Sequence, residues 1–248
     1  MARVMLAWTF AAMFVLILGA GVRAADDKSL VLQLAFDEGN GTVAKDMSGN
    51  GNNGAITGAQ WTPLAKGFGL KFDGATSKIE IPNSPTLCMN DGAFTIEIRL
   101  RPDDLTKTQT LMSKGMSQEF MIAEGADYGP RTCMFLTDWE AYRYSANIFK
   151  AGEWMHVVYV KSQKDQGADL ICYANGVVSE GGKGSKAFPA LIKPSENSLF
   201  IGCANDKWFF NGIIREVKIY KRALSAEEVL AEFNRIPKAD LEVKAAAK

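Results

Sequence analysis

The stretch LFIGCANDKWFFNGIIREVKIYKRALSAEEVLAEF, residues 199–233, decides the fold of this 248-residue chain. Two sets of side chains alternate along its middle part: Ile213, Val217 and Ile219 against Ile214, Glu216 and Lys218. A period of two is typical of a β-strand with one buried and one solvated face. Further along, Ser225 and Glu228 have the S-x-x-E spacing of a capping box. Leu224 and Val229 flank that box as a hydrophobic staple. The stretch therefore predicts two strands, a tight turn and one short helix.

The strand signal recurs through the rest of the chain. Short apolar runs broken by Gly, Asn, Pro and Asp lie at 30–36, 70–73, 78–81, 93–101, 120–123 and 154–161. Within the fourth run, Phe94, Ile96, Ile98 and Leu100 alternate with polar residues without a break. Asn175-Gly176 is a hairpin signal. Many short strands at this spacing are typical of a β-sandwich.

Several motifs stand in the order found in one known family. In residues 199–233 they are Ile201-Gly202, Phe210, Gly212, Ile214, Glu216-Val217, Ile219-Tyr220 and Arg222-Ala223-Leu224-Ser225. Upstream they include Phe36-Asp37-Glu38-Gly39, the loop 46–54, Phe72-Asp73-Gly74, Phe94-Thr95-Ile96 and Tyr173-Ala174-Asn175-Gly176. From about residue 30 to 235 the chain resembles the laminin G-like, concanavalin A-like jelly-roll domains. It departs from them at Arg215, where the family usually has Asp.

The resemblance implies an all-β fold: a two-sheet antiparallel jelly-roll sandwich, concanavalin A-like, with one short C-terminal helix. A chain of 248 residues with 47% apolar content can fill one large core. We expect a single domain over residues 25–236 and a flexible C-terminal tail over 237–248, which has little to bury. Basic and acidic residues both number 28, so the charge indicates neither nucleic acid nor an anionic membrane as a partner.

Residues 1–24 have the pattern of a secretory signal peptide. Arg3 precedes an apolar stretch over 4–18, and Val22-Arg23-Ala24 matches a small-residue cleavage site. The stretch is shorter than the roughly 20 residues that cross a bilayer. The sequence therefore predicts a secreted, periplasmic or cell-surface protein with no membrane insertion after signal cleavage. Four cysteines would meet that oxidising compartment: Cys88, Cys133, Cys172 and Cys203. They can form disulfides in three pairings, among which the sequence does not choose.

The loop DMSGNGNNG, residues 46–54, follows the first half of a calcium-binding pattern. Asp46, Ser48 and Asn50, followed by Gly51, have the D-x-[DN]-x-[DN]-G spacing. The twelfth position is Thr57 rather than Glu, so an ion here needs a carboxylate from elsewhere in the chain.

Calcium is the cofactor that this loop and the resemblance both imply. Its predicted ligands are Asp46, Asn50, Asn52 and Glu216, with Asp37 as a further source of a carboxylate. The alternatives are a metal-free Asn/Gly turn, or an Arg215 guanidinium that takes the cation's place and pairs with Asp46 or Asp37.

The segment TDWEAYRY, residues 137–144, supports two different functions. Asp138 and Glu140 would share one face of a strand, and a retaining glycosidase needs two carboxyl groups about 5 to 5.5 Å apart. The related glucanases, however, carry E-x-D-x-(x)-E on one strand, and no third acid follows Glu140.

The same segment also predicts a ligand-binding surface. Trp139, Tyr142 and Tyr144 offer flat apolar rings with polar edges, and Asp138, Glu140 and Arg143 supply hydrogen-bonding groups. Such rings cover the C–H face of a sugar. Packing of the tyrosines in the core is the alternative. Trp208 is predicted as a second contact, projecting from the turn between the last two strands, whereas His156 has no nearby nucleophile and is predicted to be structural.

These observations predict a non-catalytic binding module for extracellular carbohydrate or a surface partner. The ligand-binding residues are predicted to be Asp138, Trp139, Glu140, Tyr142, Tyr144 and Trp208. The alternatives are a glycoside hydrolase that uses Asp138 and Glu140, and a cell-envelope scaffold that binds protein.

Overall fold

The computed structural model describes residues 27–89, 92–164, 167–179, 181 and 184–237. The predicted signal peptide, residues 1–24, and residues 238–248 of the predicted tail lie outside the described residues.

Nearly all of the regular structure is β-strand. The first eight strands are β1 (Leu30–Leu34), β2 (Val43–Ala44), β3 (Gly54–Thr57), β4 (Gln60–Pro63), β5 (Phe68–Asp73), β6 (Lys78–Ile81), β7 (Phe94–Pro102) and β8 (Gln109–Lys114). The second eight are β9 (Phe120–Gly125), β10 (Gly129–Leu136), β11 (Ala141–Tyr144), β12 (Met155–Lys164), β13 (Gly167–Ala174), β14 (Val177–Val178), β15 (Leu199–Ile201) and β16 (Asn211–Tyr220). A 3-10 turn, Pro85–Leu87, lies between β6 and β7, and one α-helix, α1 (Ala226–Asn234), follows β16.

The strands form two antiparallel sheets. The first sheet has the order β14-β13-β12-β7-β16-β5-β4, with β1 pairing on β16. The second has the order β11-β10-β9-β8-β15-β6-β3-β2. Strands that are distant in sequence are neighbours in both sheets, as in a jelly roll. The predicted all-β sandwich with a short C-terminal helix is therefore confirmed.

The core lies between the two sheets. Ile96 and Ile98 of β7 in the first sheet and Ile122 and Met134 of the second sheet belong to one buried cluster. Each of these strands sends alternate residues inward, because side chains of a strand point to opposite faces in turn. The other side chains of these strands therefore lie on the outer faces of the two sheets.

The last strand departs from its predicted alternation. Arg215 is an extra residue in β16, since the pairing with β7 shifts between Ile214 and Glu216. Ile214, not Ile213, therefore faces the core with Val217. A β-bulge adds one residue to a strand, so the residues on its two sides no longer follow one alternation. The apolar residues of the sequence do not indicate where such an insertion lies.

Helix α1 begins as predicted. Ser225 Oγ accepts a hydrogen bond from the Glu228 backbone N–H, and the Glu228 carboxylate accepts one from the Ser225 N–H, which completes the capping box. Leu224 and Val229 are buried together with Tyr220. The helix is thereby fixed on the outer face of the first sheet.

The four cysteines are free thiols, so none of the three pairings is formed in the structure. Burial raises the pKa of the Cys172 thiol to about 12, and burial also raises that of Cys203. Protonated thiols react slowly, because the thiolate is the nucleophile. Within the described part of the chain, no helix has the length and apolar character needed to cross a membrane.

The Glu124 carboxyl group faces the core. Glu124 follows Phe120 and Ile122 on the inner side of β9, and it is fully buried without a hydrogen-bond partner among the described residues. Burial, with a smaller effect from Asp104, raises the pKa of Glu124 well above its ordinary 4.5. The folded protein therefore keeps this group protonated and neutral.

We expect Glu124→Gln to stabilise the protein at about pH 8 but much less at about pH 4. In the unfolded chain this carboxyl ionises as the pH rises through about 4.5, whereas in the folded chain it stays protonated to a higher pH. Its contribution to the free energy of unfolding thus becomes unfavourable above that pH, and Gln lacks the penalty. Chemical denaturation at both pH values measures the effect. Glu153→Gln, at an exposed site, is the control, and a difference that does not change with pH would contradict the expectation.

Candidate functional site

A strained turn presents Trp139 to solvent. Thr137, Asp138 and Trp139 have φ angles of 53°, 53° and 73° and join β10 to β11. The turn is held by hydrogen bonds from the Asp138 N–H to Ser117 O at 2.8 Å and from the Glu140 N–H to Thr137 O at 3.1 Å. Positive φ is uncommon for residues with a Cβ. The turn therefore keeps Trp139, a residue that is 41% exposed, at the surface.

The predicted placement of Asp138 and Glu140 on one face of a strand is wrong, since both lie in this turn and β11 begins only at Ala141. Both are exposed. The turn was not predicted because Thr-Asp-Trp-Glu contains no Gly, and its one residue that tolerates positive φ, Asp138, was assigned to a strand. The two carboxylates flank Trp139 in solvent.

A second loop brings Trp208 to the same place. Trp208 lies between β15 and β16, as predicted, and has a φ of 50°. Its carbonyl accepts a hydrogen bond from the Thr110 N–H at 2.7 Å, and an ion pair of 2.6 Å between Lys78 and Asp206 ties the loop to β6. The rings of Trp139 and Trp208 meet edge to face, with centroids 6.3 Å apart and an interplanar angle of 85°. Such geometry is a preferred aromatic contact.

Four further rings extend this contact along the outer face of the second sheet. Phe135 lies 4.7 Å from Trp139 and 6.2 Å from Tyr142, measured between ring centroids. Tyr142 is 5.6 Å from Tyr144, which in turn is 6.0 Å from Tyr128. We call the set the aromatic face: Tyr128, Phe135, Trp139, Tyr142, Tyr144 and Trp208.

Four residues of the aromatic face were predicted from the sequence, and two, Tyr128 and Phe135, were not. Phe135 could have been found from its alternation with Met134 and Leu136, which face the core. Tyr128 lies in the turn between β9 and β10 and had no such signal. The tyrosines are half-buried on the outer face rather than packed between the sheets, so the predicted surface position of Tyr142 and Tyr144 is correct.

Besides the Asp138 and Glu140 carboxylates, the polar groups around the aromatic face include neutral phenols and the Arg131 guanidinium. Burial raises the pKa of Tyr128 to about 12 and also raises the pKa of Tyr144, so both hydroxyl groups remain donors. The Arg131 guanidinium lies over the Tyr144 ring, 5.2 Å from its centroid. Arg143, predicted as a ligand contact, instead donates to Leu170 O at 3.0 Å and lies over Phe188 on the other side of β11.

The oxygens of two predicted calcium ligands, Asp46 and Asn52, already accept hydrogen bonds from the protein. The Asp46 carboxylate accepts hydrogen bonds from the backbone N–H groups of Gln33, Ser48 and Asn52 and from the Ser48 hydroxyl, at 2.8 to 3.0 Å. Asn52 Oδ1 accepts one from Ser84 Oγ at 2.7 Å. Donors point at the oxygens that calcium would need.

The other two predicted ligands are also engaged with protein groups. The Asn50 amide donates to Leu30 O at 3.2 Å, and Glu216 lies 3.4 Å from the Lys218 ammonium. Arg215 pairs with Asp37 at 2.8 Å, one of the two partners predicted for it. No cluster of three or more His, Cys, Asp or Glu side chains suited to a metal occurs among the described residues. The loop as folded does not fit the ion, and the calcium site predicted from the sequence is untested.

We expect the melting temperature to be the same in excess calcium and in excess chelator. An ion that binds only the native state raises the melting temperature by mass action, and the occupied oxygens of Asp46 leave no such gain. Differential scanning calorimetry in the two buffers measures it. A calcium-dependent increase that is lost in Asp46→Asn would establish the predicted site.

A depression of about 450 Å³ lies on the first sheet beside the end of α1. Five cations line it: Lys66, Arg99, Arg215, Lys218 and Arg235. Three of them have acidic partners in the lining, since Arg215 pairs with Asp37, Lys218 with Glu216 and Glu232, and Arg235 with Glu232. We place the candidate ligand site on the aromatic face because two exposed tryptophans meet there.

Comparison with known proteins agrees with this fold. The family model described as the concanavalin A-like lectin/glucanases superfamily matches residues 73–230, more than half of the chain. The protein therefore belongs to this family. A search of curated protein sequences gave no match.

Solved structures with the same fold include binding domains. Domain 4 of AbnA, an extracellular GH43 arabinanase of Geobacillus stearothermophilus in complex with arabinotriose, is 21% identical with a TM-score of 0.61, over 82% of this chain and 97% of that one. The binding domain of botulinum neurotoxin serotype D/C is 16% identical with a TM-score of 0.62, over 83% of this chain and 52% of that one. A Trypanosoma rangeli sialidase is 18% identical with a TM-score of 0.63, over 84% of this chain and 33% of that one. The chain thus spans about half of the toxin domain and a third of the sialidase. At these identities the likeness concerns the fold.

Proposed function

We propose that this protein is a secreted, non-catalytic module that binds extracellular carbohydrate through the aromatic face. The observation that carries the proposal is the contact of Trp139 and Trp208. These two residues come from loops far apart in sequence and are 41% and 39% exposed, and their ring centroids are 6.3 Å apart.

The chemistry of the aromatic face suits a sugar. The indole rings offer apolar area to the C–H groups of a pyranose or furanose, while Tyr142 and Tyr144 add hydroxyl groups beside them. Both tryptophans have positive φ, a conformation that costs free energy and that occurs often at ligand sites. The strain supports a role in binding for these two loops.

The compared proteins support the same class of ligand. AbnA domain 4 was solved with arabinotriose, and entry of botulinum neurotoxin type C depends on interaction with two ganglioside molecules. A related toxin binding domain was solved with rat synaptotagmin II, a protein, so a cell-surface protein partner is the second candidate. A cell-envelope scaffold of that kind would retain a protein partner and no glycan.

The hydrolase alternative has weaker support. Asp138 and Glu140 are exposed in a turn, and a glycosidase needs one carboxylic acid that stays protonated in a shielded site. We therefore propose that neither residue is catalytic and that they bind sugar hydroxyls at the edge of Trp139. Secretion rests on residues 1–24, and we place the protein outside the cytoplasm, in the periplasm, at the cell surface or in the medium.

We expect Trp139→Ala to weaken glycan binding by about tenfold or more, since buried aromatic contacts dominate the free energy of binding at most interfaces. A glycan array identifies the ligand, and affinity electrophoresis or titration calorimetry measures the change. Leu230→Ala removes an exposed apolar side chain from α1, on the opposite face, and should leave binding unchanged.

Equal binding by wild type and Trp139→Ala would refute the proposed site, and retention of no glycan at all would refute the proposed function. Release of reducing sugar that disappears in Glu140→Gln would instead establish the hydrolase.

A further inference from the structure

A small cavity on the second sheet is lined by amides and one aromatic ring. It has a volume of about 200 Å³, and its lining residues are Gly115, Met116, Gln118, Asn197, Phe200 and Asn205. Pockets for drug-sized ligands are usually about 300 Å³ or more, so this one suits a single sugar residue. None of its lining side chains is charged.

The cavity adjoins the tryptophan pair through two connections. Asn205 precedes Trp208 by three residues in the same loop, so their Cα atoms are at most about 11 Å apart. Across the cavity, Met116 and Gln118 flank Ser117, whose carbonyl accepts the hydrogen bond from the Asp138 N–H at 2.8 Å. Trp139 is the next residue after Asp138 in the chain. One glycan chain can therefore cross the tryptophans and reach the cavity.

Gln118 and Asn205 keep amide groups that can bind a ligand. Asn197 Nδ2 donates to Gln118 Oε1 at 3.0 Å, which fixes the orientation of both side chains and leaves Gln118 Nε2 available. The Asn205 side chain is exposed and makes no hydrogen bond within the described part of the chain. Amides present donors and acceptors together, the combination that sugar hydroxyls require.

Gly115 and Phe200 give the cavity its shape. A Cβ atom on Gly115, which has a φ of 61°, would lie 2.8 Å from Gln118 Oε1 and 2.8 Å from Ser195 Oγ. Glycine thus keeps the wall open. Phe200 is 9% exposed, and the Lys78 ammonium lies 5.3 Å from its ring centroid. Lys78 is paired with Asp206 at 2.6 Å, so its charge is already offset.

We infer that this cavity is a specificity subsite that takes one uncharged sugar residue of the same glycan that crosses Trp139 and Trp208. The inference rests on the proposed function and adds the class of sugar. Gln118 and Asn205 bind its hydroxyl groups, and Phe200 packs on its C–H face. An acidic sugar is disfavoured, because a carboxylate there would lose water and find no free cation in the lining.

The test uses immobilised linear neutral oligosaccharides of increasing length, with uronic acid oligosaccharides alongside. Asn205→Gly removes the amide but keeps a residue that accepts the φ of 49° at this position. We expect Asn205→Gly and Gln118→Ala each to weaken binding of neutral oligosaccharides roughly tenfold, as expected when a ligand hydroxyl loses its partner. Gln60→Ala, an exposed amide on the first sheet, is the control and should bind like wild type. Melting temperatures confirm that each variant is folded.

The outcomes separate the subsite from the proposed function. If Trp139→Ala loses binding while Asn205→Gly and Gln118→Ala bind like wild type, the subsite is refuted and the proposed function stands. Preferential binding of uronic acid oligosaccharides would also refute the subsite. If the wild type binds no oligosaccharide, both proposals fall.

Discussion

Lys218→Met is expected to lower the free energy of unfolding by about 3–5 kcal/mol, the typical result of removing one partner of a buried ion pair. Lys218 is 5% exposed on the outer face of the first sheet. Its ammonium lies 3.3 Å from Glu97, 2.9 Å from Glu232 and 3.4 Å from Glu216. Without it, the Glu97 carboxylate remains buried beside His156, which is 3.0 Å away and equally inaccessible.

The pH dependence of this effect follows from Glu97. Burial alone would raise the pKa of Glu97, but the Lys218 charge and the His156 imidazole outweigh it and hold the pKa at about 2, against an ordinary 4.5. A depressed carboxyl pKa stabilises the fold above the unfolded value, and that stabilisation is lost as the pH falls from about 4.5 towards 2. The difference in stability between wild type and Lys218→Met should therefore shrink on acidification over that range.

Chemical denaturation at neutral and acidic pH measures both effects. Lys150→Met is the matched control, since Lys150 is 74% exposed and pairs with Glu153 at 3.4 Å; exposed pairs contribute at most about 1 kcal/mol. Adding Glu97→Gln to Lys218→Met should recover part of the loss by removing the unpaired charge. If Lys218→Met is no more destabilising than Lys150→Met, the network has little role in stability.

Gly125→Ala should destabilise the protein by about 2 kcal/mol or more beyond Gly129→Ala, given a usual cost of about 1–3 kcal/mol for overpacking. The two glycines face each other across the β9–β10 hairpin, with φ angles of 93° and 68°. A Cβ on Gly125 would lie 2.0 Å from the Lys107 carbonyl oxygen, whereas a Cβ on Gly129 meets nothing within 4 Å. Both alanines share the cost of positive φ, about 1–2 kcal/mol.

The difference between these two variants isolates the steric clash from the backbone strain. Denaturant unfolding of both variants measures the difference in their free energies of unfolding. Equal values would show that residues 107–108 move away from the added Cβ without loss of stability. The turn also carries Tyr128, whose N–H donates to Gly125 O at 2.7 Å. Any shift of the hairpin in Gly125→Ala should thus appear in the near-UV circular dichroism of the aromatic face as well.

The sequence predicts the sandwich well because its strands follow a simple period. Phe94, Ile96, Ile98 and Leu100 all belong to the core, as their alternation indicates. The bulge at Arg215 escaped prediction, since an inserted residue changes which side chains face inward while the apolar composition stays the same. Local pattern therefore predicts elements better than it predicts their irregularities.

The sequence predicted single residues of the candidate site but not the contacts between them. Trp139 and Trp208 were each singled out, yet nothing local places them in contact, because that contact depends on β10, β8 and β15 being ordered as they are in one sheet. The turn at Thr137 was not predicted, because the segment 137–140 contains no glycine to indicate positive φ. The cavity beneath Asn205 depends on three separate segments and has no motif of its own.

The position of α1 has a practical consequence for tethering. The helix and Asp27, which binds Arg222 at 2.7 Å, both lie at the first sheet, while the aromatic face covers the outside of the second. Both ends of the described chain therefore leave from the side that points away from the proposed ligand. A biotin or a fused enzyme joined directly to Asp27 or Pro237 would start from the face opposite the tryptophans, which suits immobilisation for binding measurements.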